Sequence, residues 1–114
     1  MLKYMYIFRG GVATEPLSPT EMQAHMTKWY AWADGLGRSG RRLGGEPLQN
    51  TGATIRGRER VVSDGPYVES KDLVAGFMLI AAESLEEATQ LAQGCPVFEY
   101  GGSVEIRPLL EGRA

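Results

Sequence analysis

Ala75-Gly76-Phe77-Met78-Leu79-Ile80-Ala81-Ala82 is an unbroken apolar run, and Glu83-Ser84-Leu85-Glu86-Glu87 follows it directly. Successive residues of a strand point to opposite faces, so a strand that is apolar throughout needs cover on both. The run therefore predicts a central strand. Ser84 and Glu87 stand at the spacing of a capping box and open a helix. Leu85, Ala88, Leu91 and Ala92 line its inner side, and Gly94 with Pro96 closes it.

Toward the N-terminus, Tyr4-Met5-Tyr6-Ile7-Phe8 reads as a β-rich strand ended by Gly10-Gly11. Ser18-Pro19-Thr20-Glu21 places an N-cap serine, a proline at the first helical position and a glutamate at the third. Met22, Met26, Trp29, Ala33 and Leu36 then recur at helical spacing, which predicts a helix from about Pro19 to about Ser39. Arg38 suits its negative end, and Gly40 its C-cap. Leu43 to Leu48 reads as a strand with an irregularity at Gly44-Gly45. Ala53 to Arg56 and Arg60 to Ser63 form a hairpin through Gly57-Arg58-Glu59, and Asp64-Gly65-Pro66 breaks the chain sharply. Ser103 to Leu109 is the last strand, with Val104 and Ile106 alternating against Ser103, Glu105 and Arg107.

Strand, helix, several strands, helix and strand make an α+β chain. The order is a ferredoxin-like βαββαβ plan with an additional β-hairpin, and it sets an antiparallel sheet beneath two helices on one face. The other face would be too apolar for water, so a second copy is expected to cover it and make a dimeric α/β barrel. Glu105 and Arg107 turn away from Val104 and Ile106, and either pair can face the helices. A chain of 114 residues suits one domain over residues 1–114.

The formal net charge of −2 gives no basic surface for nucleic acid. Arg38, Arg41 and Arg42, then Arg56, Arg58 and Arg60, read as solvated clusters beside acids or a turn. A single cysteine, Cys95, and a single histidine, His25, allow neither an internal disulfide nor a cysteine or multi-histidine metal cage. No cofactor is called for. The strand beginning at Leu2 leaves no room for a signal peptide, and no apolar stretch approaches the roughly 20 residues of a membrane span. A cytoplasmic protein is expected.

The segment Val61-Val62-Ser63-Asp64-Gly65-Pro66-Tyr67-Val68-Glu69-Ser70-Lys71 closely resembles the signature of the YCII-related family. The match is to its DGPF branch, which usually carries phenylalanine where this chain has Tyr67. Thr54-Ile55-Arg56, Gly76-Phe77 and Gly101-Gly102-Ser103-Val104-Glu105-Ile106-Arg107-Pro108 extend the resemblance from Tyr4 to Pro108. It implies a dimeric α/β barrel, a fold shared with small-molecule isomerases, monooxygenases and haem-handling enzymes. Some members are encoded beside alternative sigma factors, which implies a role in regulation or stress. The family histidine aligns near Trp29, one turn beyond His25, and Cys95 replaces the family aspartate before proline.

Each candidate residue has a structural reading beside its functional one. His25 borders the apolar stripe, either as a general acid/base at the sheet–helix edge or as a partly exposed helix residue. Asp64 either caps the turn that follows it or handles a proton in the barrel mouth. Glu69 and Lys71 share a side if extended, as a surface ion pair or as contacts to an anion. Arg56 can clamp a substrate carboxylate or pair with Glu59 or Asp64. Trp29, Trp32 and Tyr67 can wall an aromatic pocket, with core packing the competing role for Trp29. Cys95 sits where a helix dipole disfavours a thiolate.

The expected function is metal-independent proton transfer, isomerase- or lyase-like, on a small anionic ligand in the homodimer. The rival is a non-catalytic binding or regulatory protein with a protein partner in transcription. Neither nucleic acid nor membrane is an expected partner.

Overall fold

The alternation read at Tyr4–Phe8 holds in the computed structural model, which describes residues 1–13, 16–66 and 72–114. Strand β1 (Leu2–Arg9) buries Tyr4, Tyr6 and Phe8 and leaves Met5, Ile7 and Arg9 half-exposed on its other side. Helix α1 (Pro19–Arg38) follows, then β2 (Arg42–Pro47), β3 (Ala53–Arg56) and β4 (Val61–Asp64). Strand β5 (Val74–Ala82), helix α2 (Leu85–Ala92), a 3-10 turn (Pro96–Tyr100) and β6 (Ser103–Arg113) complete the chain.

The four-stranded sheet has the antiparallel order β2-β5-β1-β6, with β5 and β1 central. Strands β3 and β4 pair with each other as a separate hairpin. Without that hairpin the connectivity is ferredoxin-like, as expected.

The core lies between the sheet and the helices. Tyr4, Tyr6, Phe8, Met78, Ile80 and Ala82 meet Leu36 of α1 and Ala88 and Ala92 of α2 in one cluster. The Tyr6 hydroxyl donates to the Ala88 carbonyl, which ties β1 to α2. Val104 and Ile106 pack against the same cluster, opposite Phe8 and Tyr6 in register. That resolves which way β6 faces. Glu105 and Arg107 point to the side away from the helices, opposite Ile7 and Met5.

Local chemistry accounts for most boundaries. Ser18 accepts from the Glu21 backbone while the Glu21 carboxylate accepts from the Ser18 backbone, a complete capping box. The second box is only half made. Ser84 accepts from the Glu87 backbone, but the Glu87 carboxylate turns to the Glu83 N–H and to Arg41. Strand β6 runs past the expected Leu109 to Arg113 despite Pro108. It is an edge strand, where a proline need not break a ladder hydrogen bond. The 3-10 turn after α2 was not expected, being too short for a periodic signal.

Among the described residues, no helix is long and apolar enough to cross a membrane. The molecule measures 43 × 41 × 18 Å. Its least dimension holds one sheet and one helix layer, because packed layers lie about 10 Å apart.

Candidate functional site

The side of the sheet without helices is apolar in the middle and charged at one end. Met5 and Ile7 of β1 lie in register with Leu79 and Phe77 of β5, so these four side chains form a half-exposed apolar strip. Glu46 of β2 stands beside Phe77, and Arg107 and Glu105 of β6 flank Met5 and Ile7.

At the end of β1 the strip closes on Arg9. Its Nη2 donates to Glu105 Oε1 at 3.2 Å and its Nη1 to the Asp72 carbonyl at 3.1 Å. Arg107 Nη1 reaches the other carboxylate oxygen of Glu105 at 3.2 Å. Hydrogen bonds from Arg107 and then Arg9 hold the Glu105 carboxyl below the usual carboxylate range, so it stays anionic near neutrality. Two arginines therefore share one carboxylate at this corner.

Beside Arg9 lies a hollow of about 280 Å³, whose walls include Leu48, Thr51, Thr54, Pro66 and Asp72. Its wall is built by the hairpin base, where Gly65 N–H donates to the Gly52 carbonyl at 2.7 Å and Thr54 Oγ1 to the Gly65 carbonyl at 2.8 Å. Leu48 N–H, bonded to the Ala75 carbonyl at 2.8 Å, fastens that base to β5. A second hollow, about 380 Å³, is lined by Arg56, Arg58, Glu59, Val61 and Ser63 of the hairpin. Among the described residues its walls come from one two-stranded element, which gives little of the enclosure of a ligand pocket.

Arg9 is held in place from below. A methyl group at Gly102 would meet the Arg9 carbonyl at 2.8 Å and the Gly11 nitrogen at 2.9 Å. Gly102→Ala should therefore push β1 and β6 apart at the charged corner and destabilise the fold by about 1–3 kcal/mol. Urea unfolding tests this, and an unchanged midpoint would contradict the close packing.

The sequence candidates are scattered rather than gathered. His25 was expected at an edge and partly exposed, but it is only 1% exposed. The 3-10 turn covers it, and the Tyr100 ring meets it edge-on at 4.9 Å. Its Nε2 accepts from the Trp29 indole N–H at 2.9 Å, so the ring proton sits on Nδ1 and is donated to Glu99 Oε1 at 3.1 Å. Lys28 holds the other Glu99 oxygen. The Lys28 bond and then the His25 bond keep the Glu99 carboxyl low. This network is on the helix side, across the sheet from Arg9.

Trp29 and Trp32 pack against the core. Trp29 meets Phe8 edge-on at 5.0 Å, and Trp32 donates to the Leu91 carbonyl at 3.2 Å. Burial pushes the Cys95 thiol up to about 12, so desolvation disfavours its thiolate.

Arg56 and Asp64 do not meet. In the hairpin register Arg56 pairs with Val61 at the turn and Ala53 with Asp64 at the base, about 10 Å apart along the strand. Among the described residues neither has an ion-pair partner. Tyr67, Glu69 and Lys71 lie outside the described residues. The corner residue that the sequence reading missed is Arg9. Its signal was a lone charge continuing the Met5, Ile7 alternation into Gly10-Gly11.

The model of the YCII-related domain matches residues 3–113. A stretch of 60 residues is 42% identical to an uncharacterised protein of Rhizobium meliloti (strain 1021), covering 50% of this chain and 48% of that protein's length. The solved 5-chloro-2-hydroxyhydroquinone dehydrochlorinase of Burkholderia phenoliruptrix, in complex with 2,5-dihydroxybenzoquinone, aligns at 18% identity. That alignment covers 94% of this chain and 91% of the other, with a TM-score of 0.45.

Proposed function

We propose, because this chain belongs to the YCII-related domain family, that it is a small-molecule protein whose site lies at the helix-free sheet face and is closed by a second copy. In this reading residues 1–114 form one domain of the DGPF branch, acting in the cytoplasm as a homodimer on a small organic anion.

One observation carries the proposal. An apolar strip of Met5, Ile7, Phe77 and Leu79 ends at a corner where Arg9 and Arg107 flank Glu105, beside an open hollow. Such a surface suits a ligand with an apolar body and an anionic end, since arginine recognises carboxylates through paired donors. A facing sheet about 10 Å away would exclude water and strengthen those contacts.

The chemistry proposed is proton transfer of isomerase or lyase type. Asp64 is the proposed base, because it directly precedes Gly65-Pro66 and Pro66 lines the hollow. Tyr67, Glu69 and Lys71 follow in the same segment and are proposed to contact the ligand. Arg56, at the hairpin turn, would then serve the second copy instead of its own Asp64. His25 is proposed to act indirectly, by fastening the 3-10 turn that leads into β6.

A second reading, binding without turnover, is favoured by the low-lying Glu105 carboxyl, which makes it a poor proton carrier. Such a binder could serve regulation through a protein partner in transcription.

Thermal-shift titration with small carboxylates and lactones tests the site. A ligand at about 100 times its Kd adds about 2.7 kcal/mol, on the order of 10 °C for a chain this size. The wild type should gain that shift and Arg9→Gln should lose it. Retention of the shift in Arg9→Gln would overturn the site. Where turnover is found, Asp64→Asn should lower kcat by about 100-fold or more and leave the ligand shift intact. Equal turnover in that variant would remove Asp64 as the base.

A further inference from the structure

We propose that the β3–β4 hairpin is an arm that docks on the second copy rather than on its own sheet. The inference rests on the homodimer proposed above and adds a contact which the facing sheets alone do not require.

The hairpin is poorly provided for within its own chain. Among the described residues, its strands of four residues each pair only with one another. An isolated two-stranded hairpin is marginal in water unless a face of it packs on something. Here the faces are open. Ile55 and Val62 are partners in register, so they share one face, and both are 65% exposed. Val61, on the other face, is 59% exposed. The arm also enlarges the molecule: the radius of gyration is 15.4 Å, against about 13 Å for a domain near this length.

Its charge says what should cover it. The turn carries Arg56, Arg58 and Arg60 against Glu59 alone, and among the described residues these arginines have no acidic partner. The helix-free face of this same chain offers the complement. Glu46 projects from the edge strand β2 beside Phe77, and it too lacks a cationic partner among the described residues.

Topology puts the two within reach. The hairpin leaves the sheet after Pro47, which pairs with Gly76, and rejoins it at Val74. It therefore springs from the β2–β5 side of the face that the second copy is proposed to cover. Four residues of extended chain carry the turn about 13 Å outward, farther than the roughly 10 Å between packed sheets. In a two-fold pair each arm would lay Ile55 and Val62 on the other copy, with its basic turn at the other copy's Glu46.

The Ile55→Glu/Val62→Glu double variant tests the arm. Both side chains are exposed in the single chain, so the far-ultraviolet circular dichroism spectrum should match the wild type. Sedimentation equilibrium should show dimer dissociation strengthened about 30-fold or more, as expected when two interface anchors are lost. Arg56→Glu should weaken the dimer, and adding Glu46→Arg should restore much of it by reversing both charges. A wild-type dimer with both sets of variants unchanged in dissociation constant overturns the arm and leaves the sheet-to-sheet homodimer standing. A wild type that is itself a monomer overturns both.

Discussion

Phe77→Asp is expected to convert the proposed dimer into a folded monomer. Phe77 occupies the central strand β5 on the helix-free face, with Ile7 on one side and Glu46 on the other. Its side chain points away from the core, so the single chain should keep its fold and its circular dichroism spectrum. In a two-fold pair the change appears twice, and each loss of a central aromatic anchor costs about 2 kcal/mol or more. The new carboxylate would also be taken out of water within the apolar strip, next to the negative charge of Glu46. Together these losses raise the dissociation constant by about 1,000-fold or more. Sedimentation at micromolar concentration reads the result. A Phe77→Asp protein that remains dimeric would show that the copies meet elsewhere.

Tyr6→Ala should come close to unfolding the chain. Tyr6 is fully buried at 0% exposure, stacks on Trp32 at 6.1 Å and meets Phe8 edge-on at 6.2 Å. Its hydroxyl satisfies the Ala88 carbonyl, and burial pushes its pKa well above the usual phenol range. Emptying such a site costs about 3–5 kcal/mol, before the unpaired carbonyl is considered. A small domain has about 5–15 kcal/mol in all. Tyr6→Phe separates the contributions, since it removes only the hydroxyl and should cost about 1–3 kcal/mol. Urea unfolding measures both. A Tyr6→Ala protein within about 1 kcal/mol of the wild type would mean that the β1–α2 contact does not hold the core together.

Much of this fold is legible in the sequence because its strongest elements announce themselves locally. Ser18 and Glu21 set the start of α1, and the alternation from Tyr4 to Phe8 sets both faces of β1. The hairpin was legible but its register was not: the reading pairs Ala53–Arg56 with Arg60–Ser63, whereas the turn takes in Arg60 as well and the partner strand is Val61–Asp64, which sets Arg56 at the turn and Asp64 at the base.

What failed depended on partners distant in sequence. A helical wheel puts His25 beside Trp29, but its burial comes from Glu99 and Tyr100, 74 residues and more away in a 3-10 turn with no periodic signature. Arg9 becomes a site residue only through its register with β6 and the approach of Asp72. Glu105 and Arg107 were correctly separated from Val104 and Ile106, but only the cross-strand pairs with Ile7 and Met5 show which side they take.

Sedimentation velocity on the unmodified protein at micromolar concentration decides whether that helix-free face is covered. Cover by a second copy predicts a particle of twice the 12.5 kDa chain mass. A single species at 12.5 kDa would mean that Met5, Ile7, Phe77 and Leu79 face water, with no chamber beside Arg9.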